Sequence, residues 1–372
     1  MQRLRRMKRV KQGGLFDMPE HLKRISKNGD PLEVLASAVD FEVFRPVLED
    51  ALGYSDGAKG GRPPYVPVAM FKILLLQAQN DLSDARTEFL IKDRLSWLRF
   101  LGFGLNEPTP DENTIRHFRN RLTAVGAIKP LFDQLDAYLR SLGYLPMGGQ
   151  IVDATLVQAP RQRMTQEEKD AAKAGKTAAQ IWLDEPAKAA QKDTQARWTV
   201  KFTKAKERPD GTKPPVDIAI PTFGYKDHIA IDGRHGFIRS YEATPANAHD
   251  GAMLREIVST DNLSSEVYAD TAYRSKTNEA WLKDKALTSR IHQKKPQGKP
   301  MPSNIARANA KKSIIRARVE HVFAVIKHKR GLFIRTIGLA RARTKIGIAN
   351  IAYNMARLVT LQARPNPRPA TG

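Results

Sequence analysis

The sequence predicts a protein of two unlike halves, an all-helical first half and an α/β second half built on a mixed sheet. Through about residue 148, apolar residues recur at helical spacing, as Leu32, Leu35 and Val39 do. After Gly148 and Gly149, β-branched runs bounded by turn residues become frequent, which is typical of strands. A chain of 372 residues is long enough for two or three domains with a sizeable core.

The helices of the first half carry recognisable start signals. Asp30 followed by a proline predicts an N-cap with proline at the first helical position, and Ser83 predicts another N-cap. Residues 66–78 are apolar nearly all round, which predicts a buried helix. The stretch from Thr109 to Glu112 combines a Thr, a proline and a Glu three residues after the Thr. It predicts a capping box with Thr109 as the cap.

The chain is strongly basic. Lys and Arg number 62 against 39 Asp and Glu, a formal charge of +23. This excess predicts a polyanionic partner, with nucleic acid ahead of a membrane surface because no basic amphipathic anchor stands out. The absence of cysteine excludes disulfide scaffolds, thiolate catalysis and cysteine-ligated zinc. The longest apolar run is too short for a bilayer and no signal peptide follows the basic N-terminus, so we expect a cytoplasmic protein.

A basic helix after Thr109 is the candidate nucleic-acid contact of the first half. Helical spacing turns its apolar residues inward and leaves Arg116, Arg119 and Asn120 towards solvent. A short helix, a turn and a basic helix suit a helix-turn-helix reader of a DNA groove. A solvated basic face on an ordinary bundle helix explains the same pattern equally well, so both interpretations stay open.

The second half is predicted to run strand, insertion, strand, strand, helix, strand, helix, strand, helix. The predicted strands are 150–157, 223–231, 237–244, 266–270 and 289–292. The insertion, 158–215, lacks the apolar density of a core element and is interpreted as partly helix and partly loop. A turn at 232–236 makes the second and third strands a hairpin. This order matches the ribonuclease H-like fold with a mixed five-stranded sheet, although a fold alone does not define an activity.

A helix near the C-terminus places a carboxylate between two cations. At about 100° per residue, Arg316, Glu320 and Lys327 fall within roughly 40° of one another, beside an apolar stripe suited to packing on a core. An exposed Arg/Glu pair at this spacing is the ordinary interpretation and contributes only a few tenths of a kcal/mol. A catalytic interpretation needs two more carboxylates and a phosphate-bearing substrate.

Two other acids meet that requirement. Asp153 lies inside the first strand, where a charge is costly unless it is paired or bound to metal. Asp270 ends the fourth strand, which neighbours the first in a ribonuclease H-like sheet, so we expect the two acids to meet. Carboxylates a few Å apart can hold Mg²⁺ ions that assist an in-line phosphoryl transfer. Asp250 begins a helix and is interpreted instead as its N-cap.

These motifs together resemble the DDE transposases of bacterial insertion sequences, most closely the group called insertion sequence family five. The matching blocks are Gly-Gly-Arg-Pro-Pro at 60–64, Ile-Val-Asp-Ala-Thr at 151–155, Phe-Gly-Tyr-Lys-Asp-His at 223–228, Tyr-Ala-Asp-Thr-Ala-Tyr-Arg at 268–274, and the helix at 316–327. The resemblance implies that Asp153, Asp270 and Glu320 are the catalytic and metal-binding acids, with Mg²⁺ as cofactor and Mn²⁺ as a possible substitute. It also implies that Arg316 and Lys327 contact DNA. One position departs, since Ser313 stands where the family pattern has Tyr.

The function implied is that of a transposase that binds the terminal inverted repeats of its element and catalyses metal-dependent cleavage and strand transfer. Its partners would be double-stranded DNA, as transposon ends and target, and a second copy of the chain in a homodimeric DNA complex associated with the nucleoid. The alternatives are a nuclease of the same fold that never joins strands and a domesticated DNA-binding regulator. The presence of three acids counts against a regulator.

These considerations predict a division into four regions and one insertion. The expected regions are a basic flexible arm at 1–25, a helical DNA-binding region with a helix-turn-helix-like segment at 26–148, a ribonuclease H-like catalytic domain at 149–361 with the insertion at 158–215, and a disordered tail at 362–372.

Overall fold

A computed structural model describes residues 17–54, 63–203 and 218–363, which form a helical layer and a mixed sheet. The first helices are α1 (Asp17–Lys27), α2 (Pro31–Ala38), α3 (Arg45–Leu52), α4 (Pro67–Asn80), α5 (Asp84–Asp93), α6 (Leu95–Leu101), α7 (Glu112–Ala124) and α8 (Ile128–Ser141). The later helices are α9 (Gln166–Lys173), α10 (Ala178–Ile181), α11 (Pro186–Gln191), α12 (Leu254–Ile257), α13 (Lys276–Asp284), α14 (Ser303–Ala324) and α15 (Leu339–Gln362). Short 3₁₀ turns lie at Phe41–Phe44, Asp250–Met253 and Thr271–Tyr273, and a π-helical turn at Val325–Lys329.

Two of the three predicted helix starts are confirmed. The carboxylate of Asp30 accepts a hydrogen bond from the Leu32 N–H at 2.9 Å, and the Ser83 hydroxyl accepts one from Arg86. The cap at Thr109 is wrong, because Asp111 caps α7 by accepting from the Thr114 N–H at 2.7 Å. A carboxylate satisfies the first free N–H groups and also complements the positive end of the helix dipole, so the helix begins after Asp111. The buried helix predicted at 66–78 is confirmed as α4.

The strands are β1 (Gln150–Gln158), β2 (Arg197–Thr203), β3 (Ile218–Asp232), β4 (Ile238–Pro245), β5 (Glu266–Tyr268) and β6 (Thr288–Ser289). In the sheet β4 pairs with β3, β3 with β1, β1 with β5 and β5 with β6. The pairings among β4, β3 and β1 are antiparallel, while β1, β5 and β6 are parallel. The predicted hairpin and the predicted adjacency of the first strand to the Asp270 strand are both confirmed.

The sheet has six strands in the described residues rather than the predicted five, because the insertion contributes β2. β2 pairs antiparallel with the first part of β3, and its Trp198, Val200 and Phe202 alternate on one exposed face. Such alternation is typical of a strand. The strand was not predicted because the many charged residues around it led to the segment being interpreted as an insertion. Gly224 lies where β3 passes from pairing with β2 to pairing with β1. At Gly224 a Cβ would lie 2.2 Å from the carbonyl oxygen of Val157, so only glycine fits there.

The insertion is tied to the start of α15. Asp193 is buried, and one of its carboxylate oxygens accepts hydrogen bonds from the Tyr225 hydroxyl at 2.6 Å and from the Gly338 N–H at 3.1 Å. The side-chain carbonyl of Gln195 accepts from the Leu339 N–H at 2.7 Å. Part of the insertion therefore satisfies free N–H groups at the N-terminus of α15.

Helix α15 packs against both the helical layer and the sheet, contacting α2, α4, α7 and α8 on one side and β4 on the other. Its approach is close at Gly347, where a Cβ would lie 2.3 Å from the Tyr241 hydroxyl oxygen and 2.4 Å from a methyl carbon of Ile128. One apolar cluster consequently runs through both halves of the chain. A smaller cluster, which includes Val152 and Leu282, covers the other face of the sheet under α12 and α13.

Several sequence predictions fall wholly or partly outside the described residues. Helix α1 begins at Asp17, so residues 17–25 of the predicted arm are helical, while residues 1–16 are not described. Residues 60–62 of the Gly-Gly-Arg-Pro-Pro block, residues 204–215 of the insertion and residues 364–372 of the tail are likewise outside them.

Candidate active site

The first acid lies on β1, and the second follows the neighbouring parallel strand β5. In the β1–β5 ladder Gln150 lies opposite Val267 and Ile151 opposite Tyr268. Continuing this register brings Asp153 level with Asp270, which follows β5 by two residues. Asp270 begins the 3₁₀ turn that leaves the sheet, and its carboxylate accepts a hydrogen bond from the Ala272 N–H at 2.8 Å. The fold therefore brings these two acids together from rigid elements.

Arg316 connects the third acid to the first. From α14, its guanidinium donates to a carboxylate oxygen of Asp153 at 2.7 Å and lies 3.6 Å from a carboxylate oxygen of Glu320. The Asp153 side chain is 17% exposed, whereas that of Glu320 is 64% exposed. Glu320 thus lies at the rim of the site, and an arginine separates it from the acid on β1.

Burial raises the pKa of Asp153 to about 6. The Arg316 charge and the hydrogen bond from the Ala154 N–H lower this pKa, while the charges of Asp270 and Asp250 raise it. Because the penalty of burial exceeds the attraction to Arg316, the Asp153 carboxylate would gain from a second cation.

The donors of this site are carboxylate oxygens, the ligand type that hard divalent cations prefer. In the described residues no group of three or more His, Cys, Asp or Glu side chains is arranged so that it could hold a metal ion. Asp153 and Asp270 are in place, while the Glu320 carboxylate is mostly in solvent and engaged by Arg316. The described residues therefore offer two neighbouring carboxylates, with the third predicted acid held apart from them by Arg316.

Two charged residues that sequence reasoning did not place in the site lie beside it. The Lys226 ammonium group, on β3, donates to a carboxylate oxygen of Asp250 at 2.7 Å and to the carbonyl oxygen of Ala248 at 2.6 Å. Asp250 is not the N-cap predicted for it, because the ring of His249 accepts the capping hydrogen bond from the Gly251 N–H. A lysine inside a predicted strand was the available signal, since a charge that is buried there needs a partner.

Two family models match the chain. "Transposase domain (DUF772)" matches residues 19–121 and "Transposase DDE domain" matches residues 145–355. The second match spans more than half of the chain and contains all three predicted acids. The chain belongs to the DDE transposases. It is therefore an enzyme that cleaves DNA and transfers strands, and enzymes of this family use divalent metal ions. No solved structure gives a significant match.

DNA contacts are predicted in both halves of the transposase, and the predicted residues differ in how exposed they are and in which side chains they already contact. On α7, Arg116 is exposed and donates to the side chain of Asn113 at 2.6 Å. Arg119 is only 17% exposed, because it forms two hydrogen bonds of 2.7 Å with the carboxylate of Asp84. Asn120 is half-buried beside it and lines a cavity with a volume of about 210 Å³. Arg119 therefore has a structural partner in the transposase without DNA.

Lys327 lies in the π-helical turn that follows α14. Burial lowers its pKa, and the neighbouring charge of Lys201 on β2 lowers it further. Two like charges that influence each other favour the approach of an anion. Ser313 lies 3.4 Å from a ring nitrogen of His292, so the position that departs from the family pattern lies against the chain that follows β6.

The helices in the described part of the transposase include none long and apolar enough to cross a bilayer.

Proposed function

We propose that this transposase binds the terminal inverted repeats of an insertion sequence through its helical region, residues 26–148, and that Asp153, Asp270 and Glu320 form its catalytic centre. The observation that carries the proposal is the register of β1 and β5, which aligns Asp153 with Asp270, together with the Arg316 link from Asp153 to Glu320. We propose Mg²⁺ as the metal, with Mn²⁺ as a substitute, because the donors are all oxygen.

The strand order supports a ribonuclease H-like catalytic domain, extending over residues 149–361. The path β4, β3, β1, β5, β6, with three antiparallel strands followed by two parallel ones, is the order expected for that fold. In this arrangement β2 is an addition that lengthens one end of β3. Placement in insertion sequence family five rests on the sequence motifs.

The residues of the site would have different roles in metal binding, in ionisation and in DNA binding. A divalent cation, when bound, supplies polarisation of the scissile phosphate and favours deprotonation of the attacking water or hydroxyl group. Asp153 and Asp270, as part of rigid elements, would hold the cation at a fixed place on the sheet edge. Arg316 lowers the pKa of Asp153 and so keeps that carboxylate available in its ionised form. Lys327, with Lys201 beside it, would bind a phosphate of the DNA backbone.

Other parts of the proposal follow from the substrate. An insertion sequence has two ends, so we propose that two copies of the chain act together in the DNA complex. We propose that the transposase acts at the nucleoid, in the cytoplasm, because its substrate is DNA. Of the two arginines predicted to contact DNA from α7, Arg116 is the better placed, since Arg119 would first have to release Asp84.

The test compares binding, cleavage and joining on DNA that carries the matching inverted repeats from the flanks of the gene. Asp153→Asn, Asp270→Asn and Glu320→Gln should each abolish cleavage while end binding stays close to that of the unchanged protein. With pre-cleaved ends the unchanged protein should join them to target DNA, and the three variants should not. Cleavage that survives in Asp153→Asn would refute the assignment of the centre.

A further inference from the structure

A cleft with a volume of about 390 Å³ lies between the insertion and the chain that leads into α15. It is lined by residues 159–163 and 191–193 of the insertion and by residues 335–337, and we call it the insertion cleft. Asp153 lies on β1 roughly 20 Å before Ala159, at about 3.3 Å of extended chain per residue. The insertion cleft is therefore separate from the proposed catalytic centre.

Hydrogen bonds hold the three segments of the insertion cleft together. The Ile334 N–H donates to the carbonyl oxygen of Gln158 at 2.9 Å, beside two of these segments. The Asp193 N–H donates to the side-chain oxygen of Gln162 at 2.9 Å, and the Asp193 carboxylate accepts from the Gly338 N–H at 3.1 Å. A ligand would therefore meet a preformed site, and its binding would require little ordering of the chain.

Positive charge lines the insertion cleft. Its described residues include four cations: Arg161, Arg163, Lys192 and Arg335. Arg335 is paired with Asp81 at 2.9 Å, whereas the other three cations form no ion pair in the described residues. The one acid in the described lining, Asp193, is buried, and its two oxygens accept four hydrogen bonds. The lining therefore carries cations in excess.

Neutral groups position two of these cations. The Arg161 guanidinium lies over the Trp198 ring, 5.8 Å from the ring centroid. The Lys192 ammonium group donates to the carbonyl oxygen of Arg163 at 2.8 Å. Neither contact supplies a negative charge, so both cations remain available to an anion.

A buried hydroxyl group adds a further donor. Thr336 lines the insertion cleft, and its hydroxyl has no hydrogen-bond partner in the described residues. Such a group in a native structure is commonly completed by a ligand, an ion or water. Phosphate oxygens accept hydrogen bonds from hydroxyl and guanidinium groups alike. A phosphate would therefore satisfy the hydroxyl and balance the cations together.

The insertion cleft adjoins the helix that is predicted to contact DNA. Arg335 and Thr336 also line the cavity of about 210 Å³ beside Asn120 of α7. Two further cations, Arg341 and Lys345, line that cavity. Cations that continue from one half of the chain to the other match a polyanion with a charge about every 1.7 Å better than a single small anion. The favoured ligand is therefore a DNA backbone.

We propose that the insertion cleft binds a backbone phosphate of the DNA duplex on which the transposase acts, with Arg161, Arg163 and Lys192 as its contacts. The inference rests on the proposed function, because it takes the DNA bound by α7 to continue past Arg335. It gives the insertion a role in holding DNA. Because the cleft lies away from the proposed catalytic centre, its cations act on binding and not on the chemical step.

The test measures the affinity of the full chain for labelled duplexes by fluorescence anisotropy at several salt concentrations. One duplex carries the inverted repeat, and a second duplex of equal length does not. Arg163→Ala and Lys192→Ala should each lower the slope of log affinity against log salt by about one on both duplexes, because a phosphate contact is independent of sequence. The matched control, Lys173→Ala, changes a lysine of the insertion that is 66% exposed on α9 and should leave the slope unchanged.

Cleavage and phosphate binding provide two further measurements. At saturating DNA both variants should cleave within about threefold of the unchanged protein, which also shows that they fold. If Lys192→Ala fails to fold, Arg163→Ala, which changes an exposed side chain, decides alone. Calorimetric titration with inorganic phosphate separates DNA from a free anion. Variants that bind phosphate more weakly but keep the slope would assign the cleft to a small anion and overturn the inference.

The remaining outcomes separate this inference from the proposed function. An unchanged slope in both variants would overturn the inference and leave the catalytic centre as proposed. A lower slope on the end-bearing duplex alone would indicate recognition of sequence and would also overturn a backbone contact. If the unchanged protein does not prefer the end-bearing duplex, the role proposed for residues 26–148 fails, while the slopes on the second duplex still decide the insertion cleft.

Discussion

Two aspartates on paired strands, Asp153 largely buried and Asp227 fully buried, show how neighbours decide the role of a carboxylate. Burial raises the pKa of both, to about 6 for Asp153 on β1 and to about 7 for Asp227 on β3. Asp153 is bonded to Arg316 and lies close to further acids. Asp227 is fully buried, and one of its oxygens accepts a hydrogen bond from the Asn350 amide at 3.3 Å while the other has no partner in the described residues.

The two aspartates differ in the charged and polar groups that surround them. A partly exposed carboxylate beside a cation and other acids can exchange its partners for a ligand. The Asp227 carboxyl group has the Asn350 amide as its one hydrogen-bond partner in the described residues and forms no ion pair there, so burial favours its neutral form. A raised pKa therefore marks burial in both cases and function in only one.

The largest expected effect is on the DNA cleavage rate, and it appears when the same substitution is made at each aspartate. Asp153→Asn should lower the DNA cleavage rate by at least about 10³-fold, since loss of about 4 kcal/mol of transition-state stabilisation by the metal corresponds to that factor. Asp227→Asn should keep the rate within about threefold, because the side chain lies in the core and keeps its shape. Single-turnover cleavage of an end-bearing duplex measures both. Similar losses in the two variants would break the comparison.

The second effect concerns stability and pH. A carboxyl group that titrates near 3.8 unfolded and near 7 folded binds its proton more tightly in the folded chain, so its contribution to stability is lost as pH rises from about 4 to about 7. Asp227→Asn removes this loss of stability at high pH. The new amide can also donate a hydrogen bond to the side-chain oxygen of Asn350, which has no partner in the described residues. The metal-free variant should be more stable by roughly 2 kcal/mol at pH 8, half of the upper limit of about 4 kcal/mol.

Denaturant unfolding at pH 5 and pH 8 measures that effect. The advantage of the variant should shrink towards pH 5, where the carboxyl group of the unchanged protein is already protonated when folded. An advantage of the same size at both pH values would show that charge is not the cause.

A smaller effect on folding stability is expected when two arginines of α7, one partly buried and one exposed, are compared in the same way. Arg119→Ala leaves the half-buried Asp84 without its bidentate partner and should cost about 1–2 kcal/mol of folding stability. Arg116→Ala, on the exposed face, should change stability by less than about 0.5 kcal/mol and instead weaken binding to DNA. Thermal unfolding and a DNA-binding titration on each variant check the pair. Equal destabilisation would contradict the distinction.

The smallest effect belongs to Lys327. Lys327→Ala should weaken DNA binding and lower the slope of log affinity against log salt by about one, because one phosphate contact fewer releases about one counterion fewer. Lys285→Ala, which changes a half-exposed lysine beside Asp284, is the control and should leave the slope unchanged. A slope that does not differ between the two variants would remove the phosphate contact from the proposal.

The sequence by itself determined the division into helical and α/β parts, most of the strands and the identity of the acids worth testing. These features can be predicted from short stretches of sequence, because helical spacing and β-branched runs indicate which residues are buried, as at α4 and β1. A charge inside the apolar run of β1 was also visible locally, and the family models confirm the resemblance to DDE transposases. The strand in the insertion was missed because β2 is stable only when paired with β3.

Tertiary structure alone decided which charges face each other. Arg119 pairs with Asp84, Arg316 with Asp153, and Asp250 with Lys226, each from another element at a separation along the chain that no local pattern records. It also decided that Glu320 lies at the rim and that one apolar cluster joins both halves through α15. These features depend on the packing of elements far apart in sequence, and the free energy of a charge depends on the neighbours that this packing supplies.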